Sequence, residues 1–356
     1  LDYPNQSYTH AVLISAKGRS VGGIVGQIGA NPKNNNETWL DQNVCMSEIK
    51  VADGGPNICV VSVNGADMIG GWIGSGFAAH GGIGADKTDD PMVTYNVNTV
   101  KAVFSRGDYV GGFCGFSSGF NNKSTSRNYT HAHINVVLDN ASVIGRTSVG
   151  GVFGGAVCCN FEQGSINVSL INRTNVGDLV GNAMPGDDKD YDAICYDAGG
   201  VFGSVANIDL WNNSKTSVVN EEVNVTVDGS SRICGYGEEN ADILKASDAG
   251  VGGVFGRCEA NVSNVGTPPP SIRVICTDPG NIAKVNTTET EDSDVSTSVY
   301  SKYSNAGGII GVMNKGTVKN CSALISVRAD AAGACVGGVV GKMSAGTVEG
   351  CHYGID

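Results

Sequence analysis

Val21-Gly22-Gly23-Ile24-Val25-Gly26 is the first of eight hexamers built to one pattern: a small or apolar residue, Gly-Gly, two apolar residues, Gly. It returns as Ile69-Gly70-Gly71-Trp72-Ile73-Gly74, Val110-Gly111-Gly112-Phe113-Cys114-Gly115 and Val149-Gly150-Gly151-Val152-Phe153-Gly154. Four more follow: Ala198-Gly199-Gly200-Val201-Phe202-Gly203, Val251-Gly252-Gly253-Val254-Phe255-Gly256, Ala306-Gly307-Gly308-Ile309-Ile310-Gly311 and Val336-Gly337-Gly338-Val339-Val340-Gly341. The Gly-Gly pairs thus recur at unequal intervals of some tens of residues, the shortest between Gly307 and Gly337 and the longest between Gly252 and Gly307. A period of this size points to a solenoid, propeller or array. The uneven spacing fits a short constant strand with loops of different length between coils. Glycine suits places where backbones approach closely or φ is positive. The two apolar residues that follow are strand neighbours and are expected on opposite faces. A strand apolar on both faces is buried on both. One face would line the interior, and loops, a second sheet or another molecule would cover the other.

The last two units carry the least decoration. Ala306 to Cys321 aligns with Val336 to Cys351: hexamer, then a Gly turn at Gly316 or Gly346, then Thr317-Val318 or Thr347-Val348. A third strand, Ala323-Leu324-Ile325-Ser326-Val327, leads into the next Gly-Gly. Three short strands per coil predict an all-β, β-helix-like β-solenoid of about eight coils with irregular loop insertions and very little helix. The unit resembles the GLUG repeat, named for its Gly-Leu-any-Gly core and known from large bacterial surface proteins, adhesins and IgA-peptidase-like proteins. The resemblance spans roughly residues 21 to 351 and implies surface display, adhesion or structural work, with no catalytic residues to carry over.

Residues 1–20 read as an N-terminal extension, a first coil, a cap or an arm reaching a neighbour, and 21–356 as a single repeat domain. Only 16% of the 356 residues are charged, glycine numbers 52, and the formal net charge is −12. A nucleic-acid groove needs the opposite charge balance. No apolar run reaches the ~20 residues needed to cross a bilayer as a helix. Leu1-Asp2-Tyr3-Pro4-Asn5 carries no signal-peptide pattern, so a mature chain is expected. Asn-X-Ser/Thr sequons stand at Asn5, Asn36, Asn122, Asn128, Asn140, Asn167, Asn172, Asn212, Asn224, Asn261, Asn286 and Asn320. A chain rich in Asn, Ser and Thr yields several by composition alone; the alternative is a secreted, N-glycosylated protein. The even count of twelve cysteines fits the same oxidising compartment.

One cysteine pair has a geometric argument. Cys351 follows Cys321 by the same interval that separates Gly337 from Gly307. Equivalent positions on stacked coils sit ~4.8 Å apart, inside the roughly 4.4–6.8 Å Cα range of disulfides. A rung-to-rung disulfide is predicted, two buried free thiols being the plain alternative. The adjacent Cys158-Cys159 should face opposite ways and take different partners.

Along the chain, Ala11-Val12-Leu13-Ile14, Ile58 to Val63, Asn98 to Phe104, Ile134 to Leu138 and Ile166 to Leu170 read as strands. Residues 31–38 and 121–130 read as polar loops. Gly81-Gly82-Ile83-Gly84 is a weak relative of the hexamer, and Val176-Gly177-Asp178-Leu179-Val180-Gly181 a degenerate ninth copy. Asp187, Asp188, Asp190 and Asp192 form the best calcium candidate, since clustered carboxylates suit an oxygen-ligated cation. The loop lacks the Gly and terminal Glu of an EF-hand, and a solvated acidic loop is the commoner explanation. His131 and His133 would share a strand face as a candidate metal pair; no third ligand is evident, and an exposed pair beside the Asn128 sequon is the commoner explanation. Thr267-Pro268-Pro269-Pro270 is a stiff extended link, and residues 289–294 a charged loop. Gly337 to Met343 lacks the spacing and Ser/Thr of a phosphate loop. No carboxylate row, Gly-X-Ser-X-Gly or His-Glu-X-X-His supports a polysaccharide-active or other enzyme. Two non-enzymatic expectations remain: a self-associating subunit of an extracellular filament or coat, and a rigid platform whose loops bind a host surface or glycan.

Overall fold

The computed structural model describes residues 10–28, 59–65, 67–78, 93–98, 100–105, 107–119, 129–130, 132–157, 159–162, 164–177, 195–206, 217–219, 221–235, 249–263, 272–277 and 298–354. These residues contain thirty-seven short strands and no helix. The strands form five sheets, paired in parallel. Sheets I, II and III begin at His10–Ser15, Arg19–Gly22 and Val25–Ile28. Sheet IV begins at Tyr129–Thr130 and sheet V at Val93–Val97.

The chain visits the sheets in one cyclic order, I to V, and each return pairs with the strand of the preceding circuit. One full circuit is Val299–Ser301, Asn305–Gly307, Ile310–Met313, Thr317–Lys319 and Cys321–Leu324. The next is Val327–Ala329, Val336–Gly337, Val340–Met343, Thr347–Glu349 and His352–Tyr353. A circuit therefore holds five strands and not three. Each hexamer is split by its Gly-Gly bend into a strand of sheet II and one of sheet III. The run from Ala323 to Val327 is likewise broken, at Ile325-Ser326.

Space explains the hexamer glycines. The glycines with positive φ are Gly177, Gly316, Gly333, Gly346 and Gly350, all outside the hexamers. A Cβ on the first hexamer glycine would instead strike the carbonyl oxygen of the fifth residue, at 2.0 Å for Gly199 on Phe202 and 1.9 Å for Gly150 on Phe153. A Cβ on the third would strike the sheet II backbone of the preceding circuit, at 2.3 Å for Gly203 on the Val149 nitrogen. Sheets II and III thus meet backbone to backbone across a face that carries only hydrogens.

The two apolar residues of each hexamer do not alternate faces as expected. Both of their N–H groups donate to one carbonyl of the next circuit: Phe113 and Cys114 to Val152, at 3.0 and 2.9 Å, and Val201 and Phe202 to Val254, at 3.1 and 2.9 Å. The register is unbroken across the bend, since Gly111 pairs with Gly150 and Cys114 with Phe153; the shared carbonyl marks a turn of the chain and not an inserted residue. Phe113, Val152, Phe153, Val201 and Phe202 are all 0% exposed. In-register Phe153, Phe202 and Phe255 stack with centroids 5.2 Å apart at both steps, and Phe161 meets Phe202 edge-on at 5.0 Å. Sheet V keeps the simple period of two, buried and half-buried residues alternating along Ala132–Asp139.

His10–Ser15 pairs in parallel with Cys59–Gly65, so residues 10–20 join the sheets. The strands expected from Asn98 and from Ile134 and Ile166 occur as Val100–Ser105, Ala132–Asp139 and Ser165–Ile171. Of the degenerate ninth copy only Val176 and Gly177 are described, and they do not sit where hexamer residues do. Asn175–Gly177 belongs to sheet I, where no hexamer lies, and Gly177 takes a positive φ that the hexamer glycines do not need. Residues 31–38, 81–84, 120–128, 178–194, 267–270 and 289–294 lie outside the described residues.

Candidate functional site

The outer face of sheet V carries an asparagine ladder. Asn96, Asn135, Asn167 and Asn224 occupy one register position on four successive strands. Asn135 Nδ2 donates to Asn96 Oδ1 at 3.0 Å, Asn167 Nδ2 to Asn135 Oδ1 at 3.0 Å, and Asn224 Nδ2 to Asn167 Oδ1 at 2.9 Å. The Asn224 amide also donates to the Glu222 carboxylate at 2.9 Å. One row over, His133 Nδ1 bonds Ser165 Oγ at 2.8 Å. Its expected metal partner, His131, lies outside the described residues.

Three other asparagines form corners. Asn140 and Asn172 turn the chain from sheet V to sheet I, and Asn320 from IV to V, with φ of 48°, 56° and 56°. This left-handed region admits Asn more readily than other non-glycine residues. All three are exposed. Asn172 Nδ2 donates to Asp139 Oδ1 at 2.7 Å, and its N–H to Asp228 Oδ2 at 2.6 Å. Asp228 also accepts the Ser230 N–H at 3.0 Å and hydroxyl at 2.9 Å. Burial opposes ionisation of Asp228, but donors on Asn172, Ser231 and Ser230 outweigh it, and its carboxyl lies below the ordinary value.

Six of the twelve sequon asparagines are therefore placed: Asn140, Asn172 and Asn320 at corners, Asn167 and Asn224 in the ladder, and Asn261 on the sheet IV strand Asn261–Ser263. Asn5, Asn36, Asn122, Asn128, Asn212 and Asn286 lie outside the described residues. So do Asp187, Asp188, Asp190 and Asp192.

Nine cysteines, from Cys114 to Cys351, stand as thiols, so the expected Cys321–Cys351 disulfide is not formed in the structure. Ser322 pairs with His352, which brings Cys321, the first residue of its strand, beside Cys351, the residue before the strand His352–Tyr353. Cys321 is 1% exposed and Cys351 is half-buried. Its Cys321 neighbour holds the Cys351 thiol down at about 6, against the effect of burial, with backbone hydrogen bonds to Cys321 and Glu349 and the His352 charge assisting. The same contact, followed by burial, raises Cys321. Cys258, close enough to act on Cys321, is fully buried and pushed up to about 12, chiefly by burial. Cys114 and Cys159 form a second buried neighbourhood, Cys159 Sγ lying 3.5 Å from Ser117 Oγ. Cys158 lies outside the described residues.

The final circuit exposes apolar side chains that its predecessor buries. Val336, Met343, Val348 and Tyr353 are 51%, 52%, 38% and 47% exposed; their register partners Ala306, Met313, Val318 and Ala323 are each 0% exposed. Lys319 and Glu349 form an ion pair of 2.6 Å between these two circuits. Elsewhere Asp197, 7% exposed, pairs with Arg257 at 3.1 Å and accepts the Gly250 N–H at 3.1 Å. The buried Glu221 accepts the Gly164 N–H at 2.7 Å.

Among the described residues no group of three or more His, Cys, Asp or Glu is placed to hold a metal ion, and no helix is long and apolar enough to cross a membrane. No protein-family model matches the chain, and neither does any curated protein or solved structure.

Proposed function

We propose that the chain is a β-solenoid of about eight coils, a secreted structural glycoprotein that self-assembles end to end into a filament or surface coat. One observation carries the reading: like positions of successive circuits stack in register through sheets I, II and III, a pattern that the strands of another copy can extend. A parallel strand edge with free N–H and C=O groups templates another strand. The occupant proposed is a second copy of this chain, because sheets I, II and III run unbroken from the first described circuit to the last and need no new register to continue. Joining unlike ends of a chain is heterologous and propagates. The resemblance to the GLUG repeat and the density of sequons support a place at a cell surface. The work is read as structural because the regular outer rows of sheet V hydrogen-bond to one another.

Negative-stain electron microscopy of the full chain, purified without reductant and concentrated stepwise, tests this. Filaments are expected with an axial repeat of ~38 Å, eight coils at about 4.8 Å each. The double variant Val336→Lys, Met343→Lys should keep the β circular-dichroism spectrum and stay dispersed. Isolated rods from the parent chain at all concentrations, or filaments from the double variant, would overturn the reading.

A further inference from the structure

We infer that Cys321 and Cys351 form a thiol–disulfide exchange site, in which Cys351 attacks small disulfides first and Cys321 resolves the product. The inference goes beyond the scaffold reading and does not depend on self-assembly.

Geometry sets the order of events. Cys321 opens its strand and Cys351 immediately precedes the parallel strand His352–Tyr353, each one residue before the register pair Ser322 and His352. Neighbouring strands lie ~4.8 Å apart, within the Cα range of disulfides. Of the pair, Cys351 is the one that offers its sulfur to solvent. Cys321 is 1% exposed, at the start of its strand, its Sγ 3.3 Å from the Lys319 carbonyl behind it. Cys258, the third nearby thiol, is 0% exposed and its Sγ lies 3.8 Å from the Ala260 carbonyl, out of reach of a soluble reagent. The attacking species in exchange is a thiolate, and access and thiolate fraction together select the sulfur that reacts. The Cys321 S–H faces the Lys319 carbonyl while both groups are thiols, and it is free to turn to a thiolate on the neighbouring Cys351.

In the first step the Cys351 thiolate attacks one sulfur of a low-molecular-weight disulfide; that S–S bond breaks, and one small thiolate leaves with the electron pair. Cys351 then carries a mixed disulfide. Its negative charge is gone, so the hydrogen bond that held the Cys321 proton is weakened, and that proton passes to the departing thiolate. The Cys321 sulfur attacks Cys351 Sγ, the bond to the small thiol breaks, and the two protein sulfurs are joined. Two protein thiols have been oxidised, and one small disulfide has been reduced to two thiols. The product ties the last two described circuits together at the end whose apolar positions lie open.

Oxidised and reduced glutathione serve as the probe. The full chain is equilibrated at pH 7 across a range of ratios, quenched with acid, alkylated and peptide-mapped by mass spectrometry. A single Cys321–Cys351 cross-link is expected at oxidising ratios. Cys321→Ser should accumulate glutathione on Cys351, and Cys351→Ser should leave Cys321 at least tenfold slower to react than Cys351 is in the parent chain. The map of the parent chain decides by itself should either serine variant fail to fold. Cys351 joined to the exposed Cys335, both thiols alkylated at the most oxidising ratio, or glutathione on Cys321 of Cys351→Ser at the parent rate would each overturn the assignment. The map is read on dispersed chain, because an added circuit would cover Cys351 as the last circuit covers Cys321; it does not depend on assembly, so failure here is separate from failure of the filament reading.

Discussion

Gly199→Ala is the sharpest test of how sheets II and III are joined. The new Cβ would lie 2.0 Å from the Phe202 oxygen, 2.6 Å from the Val254 oxygen and 2.8 Å from the Gly256 nitrogen. All three are backbone atoms, so no rotamer change relieves them. Separating the sheets by more than about 1 Å would restore ordinary contact. That movement stretches the bend's bonds to the next circuit: Gly200 N–H to Gly252 at 3.3 Å, Val201 to Val254 at 3.1 Å and Phe202 to Val254 at 2.9 Å. Overpacking costs about 1–3 kcal/mol, and each buried backbone group left unpaired roughly 1–3 kcal/mol more. A loss of about 3–5 kcal/mol follows, a large share of the roughly 5–15 kcal/mol typical of a domain.

Two other glycines separate space from φ. Gly18→Ala meets nothing within 4 Å and should leave stability unchanged or slightly raised. Gly333→Ala also meets nothing, but Gly333 has φ +94°, so its cost, about 1–2 kcal/mol, is conformational alone. Urea unfolding followed by far-UV circular dichroism ranks the three. The slope must be compared as well, because a repeat array can lose its all-or-none transition. Were Gly199→Ala to lose no more than an ordinary surface substitution does, with an unchanged slope, the close approach of sheets II and III would be refuted.

Phe202→Ala should cost about 3–5 kcal/mol, since the ring is fully buried between Phe153 and Phe255, whereas Tyr353→Ala on the open edge should be near neutral by the same melt. Asn167→Asp replaces a donor to Asn135 with an acceptor facing an acceptor and should lose about 1–2 kcal/mol, while Asn167→Gln should recover little because the longer side chain leaves the rung spacing. Glycan mapping of protein secreted from a eukaryotic host should find sugar at the exposed corners Asn140 and Asn320 and none at Asn167 or Asn224, whose amides hold the ladder; occupancy of either ladder position would sink that ordering. Asp228 has a carboxyl lowered from the ordinary 3.8, so its contribution is complete above that pH and is lost as pH falls through the folded value. Asp228→Asn should therefore be less stable than the parent at neutral pH, and the gap should close in acid melts.

Much of the circuit was legible because the hexamer repeats eight times and glycine has few reasons to recur so strictly. The all-β character and the parallel stacking of like positions follow from that repeat. The strand count per circuit did not follow, because a Gly-Gly bend and a straight Gly-rich strand look alike in sequence. Nor did the orientation of Phe113 and Phe153, which depends on two N–H groups sharing one carbonyl, a hydrogen-bond choice that alternation rules do not encode. The asparagine ladder left a signal that counting sequons hid. Ile134-Asn135-Val136, Ile166-Asn167-Val168 and Val223-Asn224-Val225 place Asn at one position of an otherwise apolar alternation. Aligning the circuits on sheet V would have exposed it.

The register that survives between circuits explains how one architecture tolerates such uneven spacing. Asn175–Gly177 and Arg232–Gly235 are paired in sheet I, and Asp197–Gly199 and Gly250–Gly252 in sheet II. Yet the segment 178–194 leads from one strand of each pair to the next, and the shorter segment 236–248 does so a circuit later. In a stack where each strand pairs only with strands of the adjoining circuits, pairing is decided strand by strand. A connection of different length at a corner costs only slowly growing closure entropy. The hexamer is where no such freedom exists, since its glycines touch backbone both within their own circuit and in the adjoining one. Selection for length could therefore act on the corners without disturbing the bend, and the Gly-Gly pairs stay in register through sheets II and III while their separation along the chain changes from one circuit to the next.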